Sequence, residues 1–181
     1  MPRVEASVEI DVPRSIAFAV SQTTGDVRLR WDPFIAEQHH LDGATHAGKG
    51  VRTRTRSRHG LVMISEYASF HPPARVGMRM VEGPWFFERF GGGWVFEAVT
   101  PTRTKAIWRY TFTVKPAFLA PIADRIGIRV LSRDIRRRID AFAAGCEDEV
   151  VVDAARALAE RWRAAESPAV AADDGGDEPL G

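Results

Sequence analysis

The sequence predicts an α+β fold in which seven antiparallel strands and two short helices precede a long C-terminal helix. Three observations carry that prediction. Residues Arg3 to Val12 alternate apolar and polar side chains, turn signals divide Phe34 to Val114 into six further strands, and beyond Pro116 the apolar residues change to helical spacing.

The opening strand follows from Val4, Ala6, Val8, Ile10 and Val12 set against mostly polar neighbours, and Pro13 ends it. "PRSIAFAVSQ" places Ile16, Phe18, Ala19 and Val20 within one short helix, Gly25 breaks it, and "DVRLRW" forms a second that Asp32-Pro33 closes. Asp42-Gly43, Gly48 to Gly50, His59-Gly60, Pro72-Pro73, Gly83-Pro84, Gly91 to Gly93 and Pro101 mark the turns between the next six strands. The Gly91 to Gly93 run is expected to be a bulge or sharp bend before a strand. The last two strands alternate most clearly, with Trp94, Phe96 and Ala98 on one face of the first and Ala106, Trp108, Tyr110, Phe112 and Val114 on one face of the second. Ile122, Ile126, Val130 or Leu131, Ile135, Ile139 and Phe142 then form a helical stripe opposite Arg125, Arg129, Arg133, Arg136 and Arg137. Gly145 stops this helix. "EDEVVVDAARALAERWRAA" reads as another, with acids at its start and Val151, Ala155, Leu158 and Trp162 on one stripe. The division expected is a domain over 1–145, an additional helix over 146–166, and a disordered acidic tail over 167–181.

Composition narrows the function classes. At 181 residues, 45% hydrophobic and 27% charged, the chain suits one soluble domain with a sizeable core. No apolar run approaches a membrane span or a signal peptide, and one cysteine, Cys146, excludes an intramolecular disulfide and every multi-cysteine metal site. A cytoplasmic location is expected. The net charge is +1, and the last fifteen residues hold four acids and no base, so residues 1–166 carry about +5 by difference. That mild charge, with no stacking platform or binding motif, does not favour nucleic acid. His39 and His40 point to opposite faces of a strand, and His46, His59 and His71 lack a paired-ligand spacing, so neither a metal nor a cofactor is expected. No Gly-x-Ser-x-Gly elbow, phosphate loop or dinucleotide fingerprint occurs.

The order of elements, the opening "VEASVEIDVPRSIAFAV", the "RLRWDPF" after the short helices, the "GGGWVFEAV" and "AIWRYTFTV" hairpin and the arginine-rich "DRIGIRVLSRDIRRRI" resemble the START-like, or SRPBCC, superfamily over roughly residues 3–144. Its members include polyketide cyclase/dehydrase-like proteins and plant allergen-like lipid carriers. The resemblance implies a helix-grip fold, a curved sheet wrapped around the long helix with a cavity between them for an apolar or amphipathic small molecule. Trp94, Phe96, Trp108, Tyr110, Phe112, Met78 and Met80 then fall on inward positions, lining that cavity or plugging it.

Within that frame the stretch "VRTRTRSRHG" is a strand whose Arg52, Arg54, Arg56 and Arg58 point to solvent, because four guanidinium groups in a cavity cost far more than four in water. Thr53, Thr55 and Ser57 face inward. Reading His59-Gly60 as a two-residue hairpin turn pairs Ser57 with Val62, Thr55 with Ile64, Thr53 with Glu66 and Val51 with Ala68. This puts Glu66 on the inner face, a weak candidate for acid–base chemistry together with Tyr110, and Tyr67 on the arginine face. Asp32 is expected to bond nearby backbone amides in a structural role, and Arg109 to lie on the convex side.

The function expected is binding of an apolar or polycyclic small molecule by a carrier or sensor, with Thr53, Thr55, Met78, Met80, Trp94, Phe96, Trp108, Tyr110 and Phe112 as the contact set. One alternative is a polyketide cyclase or aromatase using cavity acid–base groups. Another is a membrane-surface or protein-interaction module acting through Arg125, Arg129, Arg133, Arg136 and Arg137.

Overall fold

Val4, Ala6, Val8 and Ile10 of β1 (Arg3–Ile10) stand opposite Tyr110, Trp108, Ala106 and Thr104 of β7 (Arg103–Val114), so the alternation at both ends of the sheet region closes one apolar face. The computed structural model describes residues 1–116 and 120–166, the side chains of 120–123 and 166 excepted. Between β1 and the rest of the sheet come α1 (Arg14–Ser21) and α2 (Gly25–Trp31). There follow β2 (Ile35–His40), β3 (Arg52–Ser57), β4 (Val62–His71), β5 (Arg75–Glu82), β6 (Phe87–Thr100) and then β7. All pairings are antiparallel, in the order β1-β7-β6-β5-β4-β3-β2, and the sheet curls into a half-barrel. This is the helix-grip arrangement, with α3 (Ala120–Gly145) in the concavity and α4 (Glu149–Glu166) added after it.

The second half of α3 carries the core. Ile135, Ile139 and Phe142 are buried against β1, β7 and α2, and Phe142 packs on Trp31 and Trp94 at ring-centroid distances of 5.6 and 4.7 Å. Arg125, Arg129, Arg133, Arg136 and Arg137 are exposed, whereas Arg138 is buried. Asp148 begins α4 by accepting from the backbone N–H groups of Val150 and Val151, and it also receives Arg30 Nε from α2 at 2.5 Å. Val151, Ala155 and Ala159 are buried against α1 and α2, and Trp162 lies edge-on to Phe18 of α1 and Phe70 of β4. The sequence-derived placement of Ile122's side chain and of the tail over 167–181 lies outside the described residues.

Two sequence-derived expectations are corrected. The β3–β4 connection closes on Ser57 and Leu61 with three residues, Arg58, His59 and Gly60, between that pair, not two. Gly60 adopts φ +82°, Gly60 N–H donates to Ser57 O, and Ser57 N–H donates to Leu61 O at 2.8 Å. A turn followed by a left-handed glycine closes such a loop without strain. The register slips by one residue, so Glu66 stands opposite Arg52 and Ser65 opposite Thr53. The arginines still face outward, where Arg52 pairs with Asp42 and Arg54 and Arg56 with Glu37. The partner strand is inverted: Tyr67 is buried on the inner face, while Glu66 accepts from Arg79 on the outer one. Second, Gly91 to Gly93 form no bulge. They sit in the middle of β6, paired on both sides, and the irregularities of register fall at Phe87/Arg89 and Ala98/Thr100. A Cβ at Gly92 would stand 2.7 Å from the Tyr110 ring and 2.8 Å from Arg109 O, so the missing side chain is what lets Tyr110 approach β6 this closely.

Candidate functional site

Between the concave face of the sheet and the first half of α3 lies a cavity of about 710 Å³. The sequence builds its wall by period 2. Thr55 and Ser57 of β3, Met63, Ser65 and Tyr67 of β4, Met78 and Met80 of β5, Trp94 of β6 and Trp108 and Tyr110 of β7 all line it. Its inner end is buried, formed by Arg28, Ile35, Trp108, Tyr110 and Arg138. Its mouth is apolar and exposed: Trp85, Ile126, Val130 and Leu61 are 76%, 59%, 60% and 44% exposed. The helical stripe predicted over α3 therefore splits, its second half packed in the core and its first half facing the opening. A more open concavity of about 720 Å³ on the outer face is walled by Arg75, Arg79, Arg89 and Arg109, away from the buried charges described below.

Six of the nine expected contact residues, Thr55, Met78, Met80, Trp94, Trp108 and Tyr110, line the cavity. Trp94 and Trp108 stack with centroids 4.1 Å apart, forming an indole wall. Thr53 is buried and holds His40 Nδ1 at 3.2 Å. Phe96 packs into the core against Phe18, and Phe112 packs against Phe87. These three lie outside the lining. Glu66, expected inward, is on the opposite face of the sheet because of the register slip.

A buried ionic cluster occupies the inner end. Asp32 is fully buried and accepts from Phe34 N–H at 3.1 Å, as expected for a carboxylate that precedes Pro33, but it also binds two guanidiniums. Arg28 Nε donates to it at 3.0 Å, and Arg138 Nε and Nη2 donate at 3.1 and 2.7 Å in a two-pronged pair. Arg28 Nη1 donates to Ser21 O at 2.7 Å, and Arg138 Nη1 donates to Tyr110 Oη at 2.6 Å. Aromatic faces bracket the charges: Arg28 Cζ lies 4.2 Å from the Trp31 ring centroid, and Arg138 Cζ lies 4.4 Å from Trp108 and 4.7 Å from Phe34. Asp134, one turn before Arg138, approaches its Nη1 at 3.8 Å and also lines the cavity.

Burial and neighbouring charge set the protonation of each group. Burial alone would raise the Asp32 carboxyl, but the charges of Arg138 and Arg28 outweigh it and hold Asp32 below the usual carboxylate range. Burial opposes the charge on Arg138, yet Asp32 and Tyr110 hold its guanidinium above the ordinary value. For Arg28 burial prevails and lowers it. Burial also raises the Tyr110 phenol and pushes Tyr67 up to about 12, so both remain protonated near neutrality. Asp134 is raised, chiefly by burial, against the pull of Arg138. Cys146, pushed up to about 12 by burial, has no nucleophilic character.

Arg28, Asp134 and Arg138 escape a reading by charge clusters, because Arg138 is the sixth arginine in a run whose other members are exposed. The signal that finds it is positional. Leu131, Asp134, Ile135, Arg138 and Phe142 share one helical face, so two charges stand on the apolar stripe of α3. Arg28 and Asp32 are likewise four residues apart at the end of a short helix. Among the described residues no group of three His, Cys, Asp or Glu could hold a metal ion, and no helix is long and apolar enough to cross a membrane.

Residues 1–147 match the family described as polyketide cyclase/dehydrase and lipid transport. No curated protein matches the chain. Similar solved structures include the Zhui aromatase/cyclase from Streptomyces sp. R1128, at 18% identity and TM-score 0.60, covering 92% of this chain and 99% of that one. A START superfamily protein from Mycobacterium smegmatis shares 13% identity at TM-score 0.65, over 80% and 97% of the two chains. The di-domain ARO/CYC BexL of the BE-7585A biosynthetic pathway shares 16% at TM-score 0.66; the match covers 81% of this chain and 47% of BexL. At these identities the likeness is one of fold.

Proposed function

Because the chain belongs to the polyketide cyclase/dehydrase and lipid transport family, we propose that it holds an apolar or polycyclic small molecule between the sheet and the first half of α3, as a carrier or sensor. The observation that carries this reading is the cavity, whose walls are mainly aromatic and aliphatic and whose apolar mouth opens to solvent. Its volume falls within the few hundred to about 1,000 Å³ typical of small-molecule sites. Three indoles, two phenols and flexible methionines offer flat and adaptable surface to a ring system. The test is saturable binding of a neutral fluorescent probe, N-phenyl-1-naphthylamine, to the full chain, alongside mass spectrometry of molecules carried through purification. One site is expected, and it is lost when Ser65→Trp fills the lining with the circular dichroism unchanged. Absence of saturable binding, or binding unaffected by Ser65→Trp, overturns the reading.

A cyclase-type enzyme is the second reading, and Asp134 is the observation that favours it. It is the one carboxylate on the lining among the described residues, partly exposed, and burial raises it, the direction a proton-transfer group needs. Turnover of a poly-ketone model compound that is abolished in Asp134→Asn would establish it. Turnover unchanged in that variant would remove Asp134 from the chemistry.

A further inference from the structure

We propose that the bound molecule carries an anionic oxygen on its apolar body, a carboxylate or an acidic enol or phenol, and that Arg138 and Tyr110 receive this oxygen at the inner end of the cavity. This rests on the small-molecule reading above.

Hydrogen bonding leaves the inner end rich in donors. A guanidinium carries five N–H hydrogens and accepts nothing. Arg138 gives one each from Nε and Nη2 to Asp32 and one from Nη1 to Tyr110 Oη. Because Tyr110 is the acceptor in that contact, its own hydroxyl hydrogen is left over, and no contact among the described residues takes it. The chain of hydrogen bonds thus ends at the cavity in a phenol O–H beside the remaining Nη1 hydrogen. A group that complements them must accept, as a carbonyl, enolate or carboxylate oxygen does.

Charge selects among acceptors. At the inner end two guanidiniums, Arg28 and Arg138, line the cavity with one fully buried carboxylate, Asp32, between them; Arg79 and Lys115 line it elsewhere, Arg79 paired with Glu66. Asp134 can balance the second guanidinium only when ionised, and at 3.8 Å it makes no hydrogen bond to Arg138. The groups acting on Asp134 are Arg138 and Arg137 on its own helix, Asp32 at the end of α2 and His59 in the β3–β4 loop, and burial disfavours its charge. A ligand oxyanion supplies the missing counter-charge directly. The Trp108 and Phe34 rings on Arg138 fix the plane of its guanidinium before any ligand arrives, so little ordering is left to be done on binding.

Matched probes with one apolar body and two head groups test this by displacement of N-phenyl-1-naphthylamine from the full chain. Hexadecanoic acid is set against its methyl ester, and 1-hydroxyanthraquinone, titrated across its own ionisation, against anthraquinone. In at least one pair the ionised member is expected to bind about tenfold or more tightly, as a charge-assisted hydrogen bond requires. The preferred pair identifies whether the oxygen belongs to a carboxylate or to a phenol. Tyr110→Phe, which removes only the hydroxyl, is expected to reduce the ratio of affinities between the ionised and neutral members of the preferred pair, and Arg138→Gln to abolish it. Equal binding of both members in both pairs overturns the proposal and leaves the small-molecule reading standing. A preference that Tyr110→Phe leaves undiminished overturns it too, even should Arg138→Gln fail to fold. If the reporter itself does not bind, both readings fall together.

Discussion

Arg138 reaches from α3 to Asp32 at the end of α2 through two roughly parallel N–H donations of 3.1 and 2.7 Å, joining the two helices across the inner end of the cavity. The pair is almost without water: the Asp32 side chain is fully buried and that of Arg138 is 9% exposed. Removing one charge of such a pair strands the other in a medium that cannot solvate it.

Asp32→Asn leaves Arg28 and Arg138 buried with no ionised partner other than Asp134. A loss of about 3–5 kcal/mol in unfolding free energy is expected, measured by urea denaturation at neutral pH. A loss below about 1 kcal/mol would mean that the cluster relaxes by admitting water.

The two carboxylates of the cluster act on stability with opposite signs. Asp32 is depressed in the folded state, so its contribution is present above the unfolded value of about 3.9 and disappears as pH falls through the folded value. Asp134 is raised, so the fold favours its proton, and its contribution is present at low pH and lost as pH rises through the folded value. Asp134→Asn is therefore expected to match or exceed the parent's melting temperature at neutral pH, with the advantage vanishing towards pH 4. Melting curves at pH 4 and pH 7 check the sign.

Gly92→Ala puts a methyl group 2.7 Å from the Tyr110 ring and 2.8 Å from the Arg109 carbonyl oxygen. The backbone oxygen cannot retreat without breaking the β6–β7 ladder, so Tyr110 is driven into the cavity. A destabilisation of about 1–3 kcal/mol is expected, together with weaker binding of a flat apolar probe. Thermal melts and probe titration read the two effects separately.

Trp85 is 76% exposed at the mouth. Trp85→Ala is expected to change stability by less than about 0.5 kcal/mol while slowing association of the apolar probe, as stopped-flow fluorescence would show. A large stability loss with unchanged association would assign Trp85 to packing.

The order of elements could be read from the sequence because alternation and helical spacing depend on local pattern alone, and Trp94, Trp108 and Tyr110 were placed inward on that basis. The β3–β4 register could not be, because "SRHGL" is compatible with both a two-residue and a three-residue loop, and one residue decides which face Glu66 and Tyr67 occupy. The ionic cluster was hidden for another reason. Asp32 was read as a partner of local amides, and Phe34 N–H does bond it, but the guanidinium of Arg138 comes from 106 residues away. Tertiary pairings of that kind leave no periodic trace beyond a charge on an apolar stripe.

α4 gives the chain a boundary that the family match and packing draw differently. The family match ends at residue 147, one position before Asp148, whose carboxylate both starts α4 and clasps Arg30. Yet Phe18, with no exposed surface, lies under the Trp162 ring of that same helix. A chain cut at the family's edge would therefore bare the hydrophobic outer side of α1 and the Phe70 ring. What lies outside the family match is interior by solvation: the ring of Trp162 covers a side chain of the core.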